Sequence, residues 1–476
     1  MDRLTNYFEA ENYKLFLDIS KSEDKVFSGE VEVSGVALRD DFIKLHSKDL
    51  TIDSVSMECG GEYVGLKHQL MPENDELQID FVDEKTDEKV EAEKSIKLKI
   101  KFNGEITDAM HGMYPCYYNQ GEERKQLIAT QFESHHAREV FPCVDEPEAK
   151  ATFDLTLEYA NGQKILANTN PIMSEVNETT TTTFARTPKM STYLLAFVVG
   201  DLQKKTAQTK NGVEVSTWST KAHNLDMLDF PLEVAIKSLE FYEDYFDVKF
   251  PLEKCDHIAL PDFSSGAMEN WGLITYRETA MLANAKSSLS SKRQIALVIA
   301  HETAHQWFGN LVTMKWWDDL WLNESFATMM EYLAVDSFYP DWNIWEEFAV
   351  NEAILSLRRD AIDGVQSVHI PVHHPDEIGT IFDGAIVYAK GARLMNMLRS
   401  YVGEEAFRSG LANYFEEFAY QNTTGDDLWR ALGLASGKDV RSFMESWLKQ
   451  PGYPMVEADY SAGKLKLSQS QFFVGE

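Results

Sequence analysis

His301-Glu302-Thr303-Ala304-His305 lies inside a run, residues 292–308, that reads as a helix. On an α-helix positions four apart are separated by about 40°, so both imidazoles project to one side and can grip one metal ion. Glu302 sits one residue along and reaches a water beside the metal, as a general base must. Glu324 follows His305 by nineteen positions and opens a second helical run, residues 324–336. Taken alone, Glu324 reads as a helix N-terminal carboxylate favoured by the dipole; beside HETAH it reads as the third ligand. Two neutral imidazoles and one carboxylate leave a fourth tetrahedral position open, the donor set of a catalytic zinc site with one ion per chain.

The elements that must carry these residues follow from periodicity. Val26–Val36, Ser95–Phe102, Thr152–Tyr159 and Thr192–Gly200 alternate and are β-prone, which predicts an all-β N-terminal domain. The threonine run Thr179–Thr183 reads as an edge or hairpin strand. After a hairpin-like passage at Asn211-Gly212 the period changes, and Leu232–Phe246 reads as an amphipathic helix. Helical segments dominate from Lys292 to about Leu448, with a strand-like region at Ile258–Arg277. Ser291 or a neighbouring serine is expected to cap the HETAH helix, and Gly309 to end it. The last stretch, Ser461–Glu476, alternates again, so a β segment opens after Gly452-Tyr453-Pro454. The fold class is α+β, with the chemistry in the second part.

Composition excludes several function classes. The chain has 476 residues, 44% hydrophobic and 26% charged, the profile of an ordinary globular protein. Its 77 acidic against 45 basic residues give a formal charge of −32, which repels phosphate backbones and anionic lipid heads, so no nucleic-acid or membrane partner is expected. The same field favours a cationic substrate. Cys59, Cys116, Cys143 and Cys255 are scattered without CxxC spacing, which fits reduced thiols. With no secretory signal at residues 1–9 and no long uncharged apolar run, a cytoplasmic location is expected. The remaining histidines, His135, His136, His369, His373 and His374 among them, have no metal spacing that competes with HETAH and read as polar loop or cleft-wall residues.

HETAH with Glu324, joined to Gly266-Ala267-Met268-Glu269-Asn270 upstream, resembles the gluzincin zinc aminopeptidases of the aminopeptidase N family. Thr130-Gln131-Phe132-Glu133, Phe141-Pro142-Cys143-Val144-Asp145-Glu146-Pro147 and Tyr388-Ala389-Lys390-Gly391-Ala392 extend the resemblance over most of the chain. The resemblance implies an N-terminal saddle-like β domain over residues 1–201 and a thermolysin-like, mainly helical zinc peptidase domain over 202–454. Residues 455–476 then stand as the start, or stub, of a further β domain. It implies that the GAMEN strand binds the peptide backbone as an added strand, with Gly266, Ala267, Met268 and Asn270 contacting substrate. Glu269 and Glu133 would hold the free α-amino group, and Tyr388 would donate to the oxyanion. Relatives of this type continue into a helical domain that roofs the cleft, so this chain reads as truncated. Either an open cleft is expected, or a separate C-terminal chain or oligomer contact covering it.

The expected activity is zinc-dependent removal of N-terminal residues from peptides. The competing reading is a catalytically weak peptide-binding or scaffold protein on the same fold; a related branch that opens a lipid epoxide is disfavoured by GAMEN and Glu133. One departure is Ser325, where many relatives have glycine; it creates a formal glycosylation sequon at Asn323 beside the third ligand, which is discounted because a glycan would obstruct the site.

Overall fold

Val26–Ala37 and Lys94–Glu105 bury alternate side chains and pair antiparallel along their whole length, from Val26 against Glu105 to Ala37 against Lys94. They form the middle of an eight-stranded sheet, in order Pro171–Val176, Thr180–Phe184, Thr152–Tyr159, Phe8–Asp18, Val26–Ala37, Lys94–Glu105, Thr51–Cys59, Glu62–Gly65. Phe8–Asp18 and Thr152–Tyr159 run parallel; the other neighbours are antiparallel. The threonine run is a hairpin strand, but not at the edge, because Pro171–Val176 covers its outer side. The computed structural model covers residues 2–81 and 92–474; Met1, 82–91 and 475–476, the last two ending the C-terminal alternating stretch, lie outside the described residues.

Two further sheets complete the β-rich part. Phe42–His46, Glu76–Asp80 and Lys67–Met71 form one; Lys164–Ala167, Phe197–Gly200, Glu123–Gln131 and Gly112–Gln120 form the other. In the second, the hairpin of Gly112–Gln120 with Glu123–Gln131 ends on the rung Gly112–Gln131. Of the predicted strand Thr192–Gly200, only Phe197–Gly200 is extended, and Thr192–Leu194 is a 3-10 turn.

A five-stranded sheet follows, ordered Leu202–Gln208, Glu214–Thr220, Lys254–Leu260, Leu273–Arg277, Ala267–Met268. Its central strand is parallel to both neighbours and wholly buried, as parallel strands covered on both faces are. It nevertheless carries Lys254, Asp256 and His257. Lys254 Nζ lies 2.8 Å from Asp256 and donates to the carbonyls of Ala167 and Gly272, while the Trp218 indole donates to Asp256 at 2.9 Å. Buried charge is tolerated here because each group is paired and hydrogen-bonded.

Helix α1 (Asp229–Phe246) follows the Asn211-Gly212 hairpin, and α2 (Leu289–Ala304) carries HETAH. The chain divides within α1 into two compact units, Met1–Glu240 with Lys249–Thr313 and Tyr420–Asn422, and Phe241–Val248 with Met314–Ala419 and Thr423–Glu476. The second unit is helical. Its α3 (Trp321–Phe338) is buried along nearly every face, and Gly391–Val402, Glu404–Phe418, Gly425–Ser436 and Val440–Lys449 are amphipathic. A hairpin, Tyr453–Ser461 with Lys464–Phe472, closes it. Among the described residues no helix is long and apolar enough to cross a membrane.

Candidate active site

The first unit holds most of the predicted site residues. Helix α2 starts at Ser288, whose hydroxyl accepts from the Ser291 N–H at 3.1 Å, so a neighbouring serine supplies the cap. The helix ends at Ala304, before Gly309, which turns the following loop at φ 117°. One turn apart near its end, His301 and His305 bring their Nε2 atoms to 3.0 Å. His305 is buried, and its Nδ1 lies 2.9 Å from the Phe308 carbonyl. A carbonyl only accepts, so Nδ1 carries the proton and the Nε2 lone pair is left for a metal, the orientation imposed on metal-binding histidines by an outer hydrogen bond. Two imidazoles on a tetrahedral zinc stand about 3.3 Å apart at the usual Zn–N length of about 2.0–2.1 Å. The observed separation fits that ion.

Glu302 is buried on the intervening turn. Burial, and then the negative charge of Glu302, push the Tyr276 hydroxyl well above its ordinary value. The same strand, Leu273–Arg277, pairs with Ala267–Met268, Ala267 opposite Tyr276 and Met268 opposite Thr275. Ala267–Met268 is the end strand of its sheet, so an extended peptide can add along it. Gly266 is exposed and its carbonyl accepts from Arg277 N–H at 2.9 Å; Met268, Glu269 and Asn270 are buried. The Asn270 amide donates to Thr275 Oγ1 at 3.2 Å, bracing the turn.

Gln306 and Asn310, which sequence reasoning did not single out, hold this segment against the end of α2. Both are buried and both donate to the Glu269 carbonyl, at 3.1 and 2.8 Å; Gln306 Oε1 also accepts from Gly272 N–H at 3.3 Å. From the other side Asn168 donates to the Trp271 carbonyl at 2.9 Å. Gly272 has φ 77°, and a Cβ there would strike the Asn168 carbonyl, so only glycine fits.

Glu133 follows the strand Glu123–Gln131, half-buried, with a cis peptide to Ser134. A carboxylate oxygen of Glu133 lies within 4.8 Å of one of Glu269, and Glu269 stands 4.0 Å from His305 Nδ1. Two carboxylates this close repel each other unless a cation sits between or beside them.

The second unit carries Glu324 and Tyr388. Glu324 is buried in the first turn of α3, between buried Asn323 and Ser325. At 1% exposure Asn323 offers no access for a glycan. Tyr388, half-buried, lies not on an α-helix but on a π-helical segment, Gly384–Lys390, a widened turn that recurs at functional sites. Three contacts hold it. Ser325 donates to the Val387 carbonyl at 2.6 Å, Asp383 accepts from Ala385 N–H at 2.9 Å, and buried Lys390 pairs with Asp360 at 2.8 Å. Lys390 also donates to the carbonyls of Gln450 and Gly452.

The sequence matches the peptidase M1 N-terminal domain over residues 9–194 and the peptidase family M1 domain over residues 230–447. It is 55% identical over 479 residues to an aminopeptidase N of Lactococcus lactis subsp. lactis, covering 100% of this chain and 55% of the relative. It is 45% identical over 482 residues to an aminopeptidase N of Lactobacillus helveticus, covering 100% and 55%. To aminopeptidase M1 of Arabidopsis thaliana it is 47% identical over 378 residues, covering 79% and 42%. The chain spans about half the length of the curated relatives it matches.

Proposed function

Because the chain belongs to the gluzincin peptidases of the aminopeptidase N family, peptidase family M1, we propose that it acts as a zinc-dependent aminopeptidase that removes N-terminal residues from peptides. The domain division 1–201, 202–454 and 455–476 is part of the same reading. The observation that carries it is the grouping, within one unit, of two carboxylates within 4.8 Å beside an imidazole pair with Nε2 atoms 3.0 Å apart.

In this reading His301, His305 and Glu324 hold one catalytic zinc. When bound, zinc supplies a Lewis acid for the scissile carbonyl and makes water acidic enough to be deprotonated near neutral pH. Glu302 takes that proton on a carboxylate oxygen and delivers it to the nitrogen of the leaving amine. The Tyr388 hydroxyl donates to the oxygen that gains negative charge as the carbonyl carbon becomes tetrahedral. Glu133 and Glu269 accept from the substrate α-ammonium, which is substantially protonated at neutral pH. Gly266, Ala267, Met268 and Asn270 present and brace the edge along which the peptide backbone adds, so the ammonium is held one residue from the bond cut. The buried thiols Cys116, Cys143 and Cys255 fit a reducing, cytoplasmic setting.

The test is fluorophore release from free and N-acetylated aminoacyl substrates, with and without a chelator. Free substrates should turn over and chelation should stop them. Acetylation should slow release by about 10- to 100-fold or more, the worth of hydrogen bonds to a charged group. Equal rates on both would overturn the amino clamp. Peptide binding without turnover, with zinc bound, would favour the scaffold reading.

A further inference from the structure

The hairpin of Gly112–Gln120 with Glu123–Gln131 ends on the rung Gly112–Gln131. The residues just outside that rung therefore emerge side by side, His111 before the first strand and the 132–139 segment after the second. His136 precedes a 3-10 turn, Ala137–Glu139, that swings Glu139 back toward His111. His111 Nδ1 lies 2.7 Å from Glu139 Oε2, and His136 Nδ1 lies 3.0 Å from Glu139 Oε1. The two rings stack with centroids 4.1 Å apart and an interplanar angle of 25°, so both Nδ1 atoms face one carboxylate.

The backbone is shaped for this meeting. Met110 and Gly112 have φ 58° and 63°, and a Cβ on Gly112 would lie 2.8 Å from Glu139 Oε2. Glycine suits this left-handed position and leaves the carboxylate room to approach without shifting. Each of the three side chains offers a ligand atom within 4.8 Å of the others. All three are partly buried, and His111 and Glu139 line a cavity of about 850 Å³ shared with Lys48, Asp49 and Glu105. His135 stacks on His136 with ring centroids 4.9 Å apart.

We propose that His111, His136 and Glu139 form a second metal site, for a borderline divalent cation such as Zn2+, with its remaining coordination positions open to this cavity. Two imidazoles and a carboxylate are a zinc donor set. For a neutral imidazole the proton on Nδ1 moves through solvent to Nε2 as the ion takes its place, with no net proton change. Lys48 Nζ, 3.2 Å from Glu139 Oε1, competes for the carboxylate and weakens the site. The site does not depend on the aminopeptidase reading.

The test is metal stoichiometry of the whole chain by mass spectrometry and Zn2+ titration calorimetry. The wild-type protein should take up two equivalents. His111→Ala and the double variant with His136→Ala should each lose one, with unchanged circular dichroism. Lys48→Met should tighten the second equivalent severalfold. Cu2+ bound to a His301→Ala, His305→Ala protein should give an electron paramagnetic resonance signal split by two nitrogens, lost on adding His111→Ala. Equal uptake by wild type and the His111 and His136 variants would overturn the site, as would a single equivalent that disappears with His301→Ala. Loss of an equivalent in the His111 variant but not in the His301 variant would leave this site standing and sink the catalytic-zinc assignment.

Discussion

His301 and His305 meet because they are one turn apart on α2, with Nε2 atoms at 3.0 Å, whereas His111 and His136 meet because a hairpin returns the chain to its own starting point. In the first pair the helix fixes the geometry and the Phe308 carbonyl sets the tautomer. In the second, two left-handed residues, a 3-10 turn and a glycine packed against the carboxylate do the same work. The carboxylates differ as well. Glu302 lies inside the HETAH turn and is proposed to move protons, while Glu139 takes both imidazole Nδ1 atoms on its two oxygens and is proposed to bind an ion. A helix can place ligands and base together from five residues; a hairpin site needs a whole sheet to exist first.

The sharpest test of this contrast is to remove a proton acceptor from one and a ligand from the other. Glu302→Gln should lower turnover by about 100- to 10,000-fold while the protein keeps its metal, measured by steady-state kinetics and metal content. Glu139→Gln should do the reverse, costing an equivalent of metal and leaving turnover within about twofold. Metal loss from Glu302→Gln would break the distinction.

Next in size, Tyr388→Phe should lower kcat by about 100- to 1,000-fold with KM little changed, the signature of a donor used in the transition state. Glu269→Gln should raise KM for free-amine substrates by about 10- to 100-fold and shrink their advantage over acetylated ones. Smaller again, Gly112→Ala should cost about 1–2 kcal/mol in urea unfolding through its left-handed backbone, with loss of the second metal equivalent and unchanged activity.

The smallest effect belongs to a histidine–glutamate pair with one imidazole only. His223 Nε2 lies 2.6 Å from Glu278, and the hydrogen bond raises its pKa above the usual value. Its stabilisation is full below the unfolded-state value of about 6.5 and is lost as pH rises through the higher folded value. His223→Gln should therefore flatten the stability change between about pH 6 and pH 8 by less than about 1 kcal/mol, read from chemical denaturation at each pH.

What was legible in the sequence follows the same line. HETAH, its helix, the alternating strands and the change to helical periodicity are local patterns, and local hydrogen bonding and burial enforce them. Gln306, Asn310 and Asn168 left no pattern because their amides bind backbone carbonyls of a distant turn. Tyr388 is legible only through the family resemblance, since nothing in YAKGA announces a π-helical turn. Its cause lies in Asp383, Ser325 and the Lys390–Asp360 pair. His111 was passed over and His136 was read as a polar loop residue, because strand register, not spacing, brings them to Glu139.

Ser325 has an evolutionary consequence. A Cβ on Gly391 would land on the Ser325 hydroxyl, and that hydroxyl is bonded to the segment bearing Tyr388. Positions 325 and 391 therefore share one small volume, and a lineage can enlarge one only by shrinking the other. Among homologues with glycine at 325, alanine at 391 becomes admissible, while serine at 325 should travel with glycine at 391. The neighbour of the proposed third ligand and the anchor of the proposed oxyanion donor would then drift as a single inherited character.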